Sequence, residues 1–352
     1  MNRFLQLHLL TNYAPANLNR DDLGRPKTAM MGGVLRLRVS SQSLKRAWRT
    51  SDLFQSSLVG HVGTRTKEMG RKIYEILIRL GISDSKSKEW AKSIAGQFGK
   101  LKAVSTEKPF QELEIEQLAH FSPEEEAAID ALARQLAEHQ TEPSEQELKL
   151  LRQKHSAADI ALFGRMLAAS PSFNVEAAAQ VAHALAVHRC QVEDDFFTAV
   201  DDLNQGIEDV GAGHMGEIEF GAALFYLYLC IDRALLLENL NGDVDLCCKT
   251  LQALTECAAT IAPTGKQNSF ASRARASFIL AEKGDSQPRS LAVAFLKPIS
   301  GTDLLNDSIA ELTNCYSNID QVYGPCAAAR YSLNAVTGTG TLAELLSFVC
   351  GD

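Results

Sequence analysis

The chain opens on an alternation: over residues 3–10, Leu5, Leu7 and Leu9 fall on one face and Phe4, Gln6 and His8 on the other. That is the period of a half-buried strand. A loop rich in Asn, Asp, Gly and Pro runs from Thr11 to Gly33. Alternation returns at 34–39, which predicts Leu35, Leu37 and Val39 inward and Arg36 and Arg38 outward. Ser40 and Ser41 then offer N-cap hydroxyls for a helix from Gln42 to about Arg49. On that helix Leu44, Ala47 and Trp48 share one side, while Gln42, Lys45 and Arg49 share another.

From about 61 to 170 the period becomes helical, as in Met69, Ile73, Ile76, Leu77 and Leu80, a series that stops at Gly81. Ser122-Pro123-Glu124-Glu125-Glu126 predicts an N-cap, a proline at N1 and acids at the positive helix end, and Ser144-x-x-Glu147 fits a capping box. This block reads as an inserted helical subdomain. Residues 175–188 are ambiguous, because alanine favours helix while Val181, His183, Leu185 and Val187 alternate; the alternation is taken as strand. Residues 222–231 and 290–297 predict further strands, and 232–241 and 246–261 helices. Strands at both ends around a helical block define an α+β class.

Composition changes this picture little: 45% apolar and 22% charged residues fit a well-buried globular protein. No stretch approaches the roughly 18 uninterrupted apolar residues of a membrane span, and no signal peptide is evident, so a cytoplasmic protein with no membrane partner is expected. The eight cysteines lack zinc-ligand spacing and are expected to be reduced, mostly buried thiols.

Charge changes it more. The net charge is −8, yet residues 1–50 hold nine Lys and Arg against two acids, and residues 51–100 hold nine against five. Everything after residue 100 is acidic. A basic end on an acidic body suits a protein that grips a polyanion with one surface and meets protein neighbours with others. Residues 34–49 concentrate the feature: a basic strand runs into a serine-capped helix, a corner that supplies backbone N–H groups, hydroxyls and cations to a phosphate. An ordinary basic surface helix would read the same way. Arg25 and Lys27 in the preceding loop add reach but no specificity, and Lys266-Gln267 with Arg273 and Arg275, after Pro263-Thr-Gly265, form a second, smaller basic loop. No nucleotide-binding fingerprint and no Gly-x-Ser-x-Gly elbow is present, and neither cofactor nor metal is expected. Asp21-Asp22 could hold a divalent ion near bound RNA, although adjacent acids in a turn are commonly just solvated. Phe196-Phe197 lies in a segment otherwise too polar for core, so it suits either stacking on bases or a satellite cluster. Met166, beside Gly164 and Arg165, is similarly two-sided.

Asn19-Arg20-Asp21-Asp22, Arg36-Leu-Arg-Val-Ser-Ser-Gln-Ser-Leu-Lys-Arg-Ala-Trp48, Asp159-Ile-Ala-Leu-Phe-Gly-Arg-Met166, Ala182-His-Ala-Leu185, Phe197-Thr-Ala-Val-Asp-Asp202 and Lys266-Gln267 resemble, in order, the CasC-type backbone subunit of the type I-E CRISPR Cascade complex. The resemblance implies an RRM-like (ferredoxin-like) palm from 1–60, 175–192 and 223–352, a helical fingers insertion at 61–174 and a β-hairpin thumb at 193–222. It implies a non-catalytic scaffold that polymerises on guide crRNA and presents it to target DNA in antiviral defence. Neighbouring copies and other Cascade subunits are its implied partners. By motif, Lys27, Arg38, Ser40, Gln42, Lys45, Arg49 and Lys266 would hold RNA, Met166 would lie against bases, and Phe197 would wedge at a kink. Position 49 departs from the family in carrying Arg for Lys, which keeps the charge and alters the geometry. Two rivals remain open: a metal-dependent RNA-cleaving backbone subunit using Asp21 or Asp22, and a general single-strand RNA-binding module that acts without neighbours.

Overall fold

The computed structural model describes residues 2–199 and 214–351. In chain order the elements begin with β1 (Phe4–Ala16), β2 (Thr28–Met31), β3 (Val34–Val39), α1 (Ser41–Arg49) and α2 (Asp52–Ser57). They continue with β4 (Thr64–Thr66), α3 (Met69–Arg79), α4 (Asp84–Ala95), β5 (Ala119–Phe121), α5 (Pro123–His139) and α6 (Ala158–Phe163). Next come β6 (Ala179–Val181), β7 (Ala184–Ala186), β8 (Glu193–Ala199), β9 (His214–Asp232), α7 (Arg233–Asn239), α8 (Val244–Thr260) and α9 (Gln267–Phe270). The chain closes with β10 (Phe278–Gly284), α10 (Leu304–Tyr323), β11 (Ala329–Asn334) and α11 (Leu342–Cys350). Two compact units result, one from 1–54, 181–230 and 251–352, the other from 55–180 and 231–250.

The first unit is built on a sheet in the order β11-β10-β1-β9-β7-β3-β2. Its β1–β10, β10–β11, β3–β7, β7–β9 and β2–β3 ladders are antiparallel. The opening strand is buried on both faces, not one: Leu5 through Leu10 are all inaccessible, Gln6 and His8 included. A buried polar group must find partners. Gln6 Oε1 accepts from Tyr228 O–H at 2.8 Å and from Arg289 N–H at 2.9 Å. His8 Nδ1 lies 2.8 Å from Tyr226 Oη and its Nε2 3.2 Å from Glu282 Oε2. The Glu282 carboxylate only accepts, so Nε2 carries the proton; burial lowers the His8 pKa, leaving Nδ1 to accept from Tyr226 O–H, whose oxygen also accepts Leu291 N–H. Glu282 also accepts from Arg289 at 2.6 and 3.0 Å and from Arg330 at 2.7 Å. Burial pushes the Glu282 carboxyl up, but the hydrogen bonds from His8, Arg289 and Arg330 outweigh it and hold it well below the carboxylate range.

Arg36 corrects the alternation of 34–39. Its side chain is fully buried, while Leu35 is exposed. The guanidinium donates to the carbonyls of Met31 at 3.3 Å, Ala186 at 3.0 Å and Phe295 at 3.0 Å. It thereby ties the β2–β3 hairpin to β7 and to the segment after β10. Gly32, with φ +61°, passes so close to Leu296 O that a Cβ there would sit 1.7 Å from it. Residues 290–297 are also not a strand: Ala292–Phe295 is one 3-10 turn that buries Leu291 and Phe295, four apart, and exposes Val293 and Leu296. The ambiguous stretch 175–188 forms only the short β6 and β7.

The second unit packs α3, α4 and α5 around Met69, Ile73, Leu77, Trp90, Ile94, Ile129 and Leu132. Ser122 and Glu125 form the expected capping box, with Pro123 in the first turn of α5. The Ser144/Glu147 box also forms, at 2.8 Å from Ser144 N–H to Glu147 Oε2, but it closes a turn and no helix follows. Cys190, Cys230, Cys247, Cys257, Cys315 and Cys326 are free thiols. Cys248 and Cys350 are disulfide-bonded, against the expectation of eight reduced thiols.

Arg36→Leu leaves three interior carbonyls without their donor and is expected to lower unfolding free energy by about 3 kcal/mol in urea titration. The Glu282 pKa is depressed in the fold, so the stability it contributes is present above its ordinary value of 4.5 and is lost as pH falls below that. Thermal melts between pH 3 and 7 are therefore expected to show a steeper acid loss for the native chain than for Glu282→Gln.

Candidate functional site

The basic corner is assembled by a short loop in front of it. Asn19 accepts from two sides: its Oδ1 takes Ser40 N–H at 2.9 Å and its carbonyl takes Lys27 N–H at 2.8 Å. Lys27 O in turn accepts Arg38 N–H at 2.8 Å. One asparagine thus brings Lys27 and Ser40 together and places them beside Arg38. Within the loop, Asp21 Oδ1 accepts the amides of Leu23 and Arg25, each at 2.9 Å. This is the local turn chemistry that favours Asp in loops.

Ser40 caps α1, its hydroxyl accepting Ser43 N–H at 3.3 Å. The helix buries Leu44, Ala47 and Trp48 against the first unit. Gln42 and Arg46 are thereby left exposed and Lys45 and Arg49 half-buried. Burial lowers the Lys45 pKa. Arg38, half-buried on β3, places Nη1 2.8 Å from His183 Nδ1. Burial, then the neighbouring Arg38 and Lys27, lowers the His183 pKa. A guanidinium only donates, so Nδ1 accepts here and orients it. Lys266 stands at the start of α9 with φ +48°. The preceding Gly265 lies against the backbone of Asn17 and Leu18, so close that a Cβ would sit 2.2 Å from Leu18 O. That contact brings the second basic loop to the chain segment leading into Asn19.

Seven of the nine sequence-predicted site residues, Lys27, Arg38, Ser40, Gln42, Lys45, Arg49 and Lys266, belong to the first unit, and backbone hydrogen bonds bring Lys27, Arg38 and Ser40 side by side. Phe197 lies on β8, half-buried, with its ring across Gly216 of β9; a Cβ there would be 2.5 Å from Phe197 Cζ. Phe196, on the opposite face of the ribbon, is 60% exposed. The remainder of the predicted thumb, residues 200–213, lies outside the described residues.

Met166 belongs to the second unit and is 77% exposed beside Phe98, Leu118 and Leu167. The run that precedes it is a set of anchors. Asp159 accepts from Gly63 N–H at 2.9 Å and pairs with His120 Nε2 at 2.8 Å, and Arg165 pairs with the buried Glu125 at 2.7 Å. Met166 is the outward side chain at the end of that run.

Sequence reasoning passed over Asn19 as an organiser, His183 as the partner of Arg38, and Gly265 as a point of backbone contact. Gly265, following Pro263 and Thr264, carried a turn signal, and Asn19 and His183 fall within runs that carry the family resemblance. Arg25, in the loop before the corner, pairs with Glu219 at 3.1 Å. Among the described residues, no three His, Cys, Asp or Glu side chains gather as a metal site. No helix among them is long and apolar enough to cross a membrane.

A mixed α/β protein with an antiparallel sheet and a cationic strand–helix corner is the class that this fold and surface define. The chain belongs to the CT1975-like protein family, whose model matches residues 5–345. It is similar to a chain of a solved "CRISPR RNA-guided surveillance complex, pre-nicking", at 27% identity and a TM-score of 0.87, covering 98% of this chain and 99% of that one. It is also similar to a chain of a "CRISPR RNA-guided surveillance complex", at 27% identity and a TM-score of 0.60, covering 99% and 93%. No curated protein matches it at a significant level.

Ser40→Ala removes the cap acceptor of α1 and is expected to lower stability by about 1 kcal/mol. Hydrogen exchange should rise at Ser43 and Leu44 and stay unchanged in α5.

Proposed function

We propose that this chain is a guide-RNA-binding backbone subunit of a CRISPR surveillance complex of the type I-E kind, and that it is a scaffold without catalytic activity. The observation that supports the reading is a chain whose whole length resembles surveillance-complex subunits, with Lys27, Arg38 and Ser40 joined at the head of the basic helix that carries Lys45 and Arg49. Helix N-terminal amides, hydroxyls and cations within one surface suit the sugar-phosphate backbone and carry no base code. Sequence would then be read by pairing of the guide with target DNA. In this reading the sheet is an RRM-like palm, the helical unit the fingers, and β8 with the start of β9 the stem of a thumb.

Copies would line up along the crRNA, each adding a small basic groove to a protein that is acidic overall, so affinity accumulates by multivalency. Other complex subunits would complete the assembly in the cytoplasm. The use of Asp21 Oδ1 by the Leu23 and Arg25 amides, a turn role, favours the scaffold over metal-dependent cleavage at Asp21.

Native mass analysis of the purified chain with single-stranded RNAs of increasing length, in magnesium, is expected to show stepwise loading and intact recovered RNA. A single copy on every length would instead support the neighbour-independent RNA module, and shortened RNA would support the nuclease. In a salt titration of RNA binding, Arg49→Ala is expected to weaken affinity and reduce the log–log slope by about 0.7, the contribution of one phosphate contact on a single strand.

A further inference from the structure

The β8–β9 stem is a two-stranded ribbon in which six of the seven β8 residues are exposed. It is about 20 Å long at the ordinary rise of a strand, and such a ribbon has little stability or direction of its own. Its direction is therefore set where its base meets the rest of the unit. Asn17, fully buried, donates one amide proton to Gly24 O at 3.0 Å and the other to Glu219 O at 2.8 Å. Arg25 pairs with the Glu219 carboxylate. That pairing has a local reason: Glu219 stands directly opposite Asp194 across the ribbon, and like charges in that position repel. The loop holding Gly24 and Arg25 is closed on itself by Asp21 and ends at Lys27, one of the cations of the corner.

We propose that Asn17 and Arg25 are positioning residues that fix the direction of the paired β8–β9 stem to the loop carrying Lys27, so that the basic corner and the stem move as one piece. This rests on the scaffold reading above. Under that reading the arm serves the next copy along the RNA, so its direction governs loading of many copies and not the grip of one. Arg25 then acts on Glu219 and not on phosphate.

The test compares the full-length chain with Arg25→Glu, Glu219→Arg, the double exchange and Asn17→Ala. Each is titrated onto the shortest RNA that loads one copy and onto a long RNA that loads several. Hydrogen exchange at Glu217–Phe220 is followed without RNA. Each single charge reversal is expected to raise the concentration for half-loading of the long RNA by roughly fivefold, the upper range for loss of one partly exposed ion pair. Short-RNA binding should be unchanged, and stem exchange should be faster. The double exchange is expected to restore both, and Asn17→Ala, if it folds, to behave as the single reversals do.

A double exchange that restores neither property overturns the inference, as does Arg25→Glu weakening short-RNA binding to the same degree as long. Failure of the native chain to load RNA at all overturns the scaffold reading itself, a result the exchange measurements do not produce.

Discussion

The guanidinium of Arg36 is held inside the first unit by three backbone carbonyls, from β2, from β7 and from the 3-10 turn after β10. A charge in that position is stable only while all three acceptors stay in place, since burial disfavours its charged form. It therefore requires β3 to lie at one register against β7 and the 3-10 turn to remain on the β2–β3 hairpin. Because α1 begins two residues after β3 ends, the same constraint decides where Ser40, Lys45 and Arg49 stand. A buried cation thus sets the position of the exposed ones.

The buried polar set around Glu282 plays the corresponding part on the other side of the sheet. His8, Arg289 and Arg330 converge on one carboxylate, which joins β1 and β10 to β11 and to the segment leading out of β10. Apolar packing alone would tolerate slippage between these strands; a satisfied polar network does not. Under the proposed reading, a corner that meets a polyanion would gain from such a support, because its cations would arrive already ordered and less entropy would be lost on binding.

The functional surface is held by residues that do not themselves belong to the chemistry. Asn19 joins two backbone positions, Gly265 allows a second loop to approach, and Asp21 closes the loop that leads to Lys27. Asn17 and Arg25 take the same loop to the base of the exposed ribbon. On the second unit, Asp159 and Arg165 do this for Met166: the distinctive run of residues before it consists of buried anchors, and its exposed end is a single flexible apolar side chain.

Much of this was legible in the order of residues. The strand at 34–39 and the capped helix after it, the Ser122–Glu125 box, the helical block and the gathering of positive charge near the start all follow from local chemistry: periodicity, side chains that compete for backbone groups, and charge counted along the chain. The burial of Gln6, His8 and Arg36 did not. Alternation reports which side chains share a face, and only the elements later packed against that face decide whether it is wet. Residues 290–297 failed for a related reason: a run of six apolar residues, 291–296, fits a strand or a turn of helix equally, and the buried pair Leu291 and Phe295 is defined by what covers them. The supporting roles of Asn17, Asn19, His183 and Glu219 leave no local mark, because each joins segments that are separate in the chain. Local propensity therefore determined the elements and the sign of the surface, while tertiary structure decided which polar groups became supports and which stayed available, because a hydrogen bond between distant residues leaves no pattern in the neighbours of either.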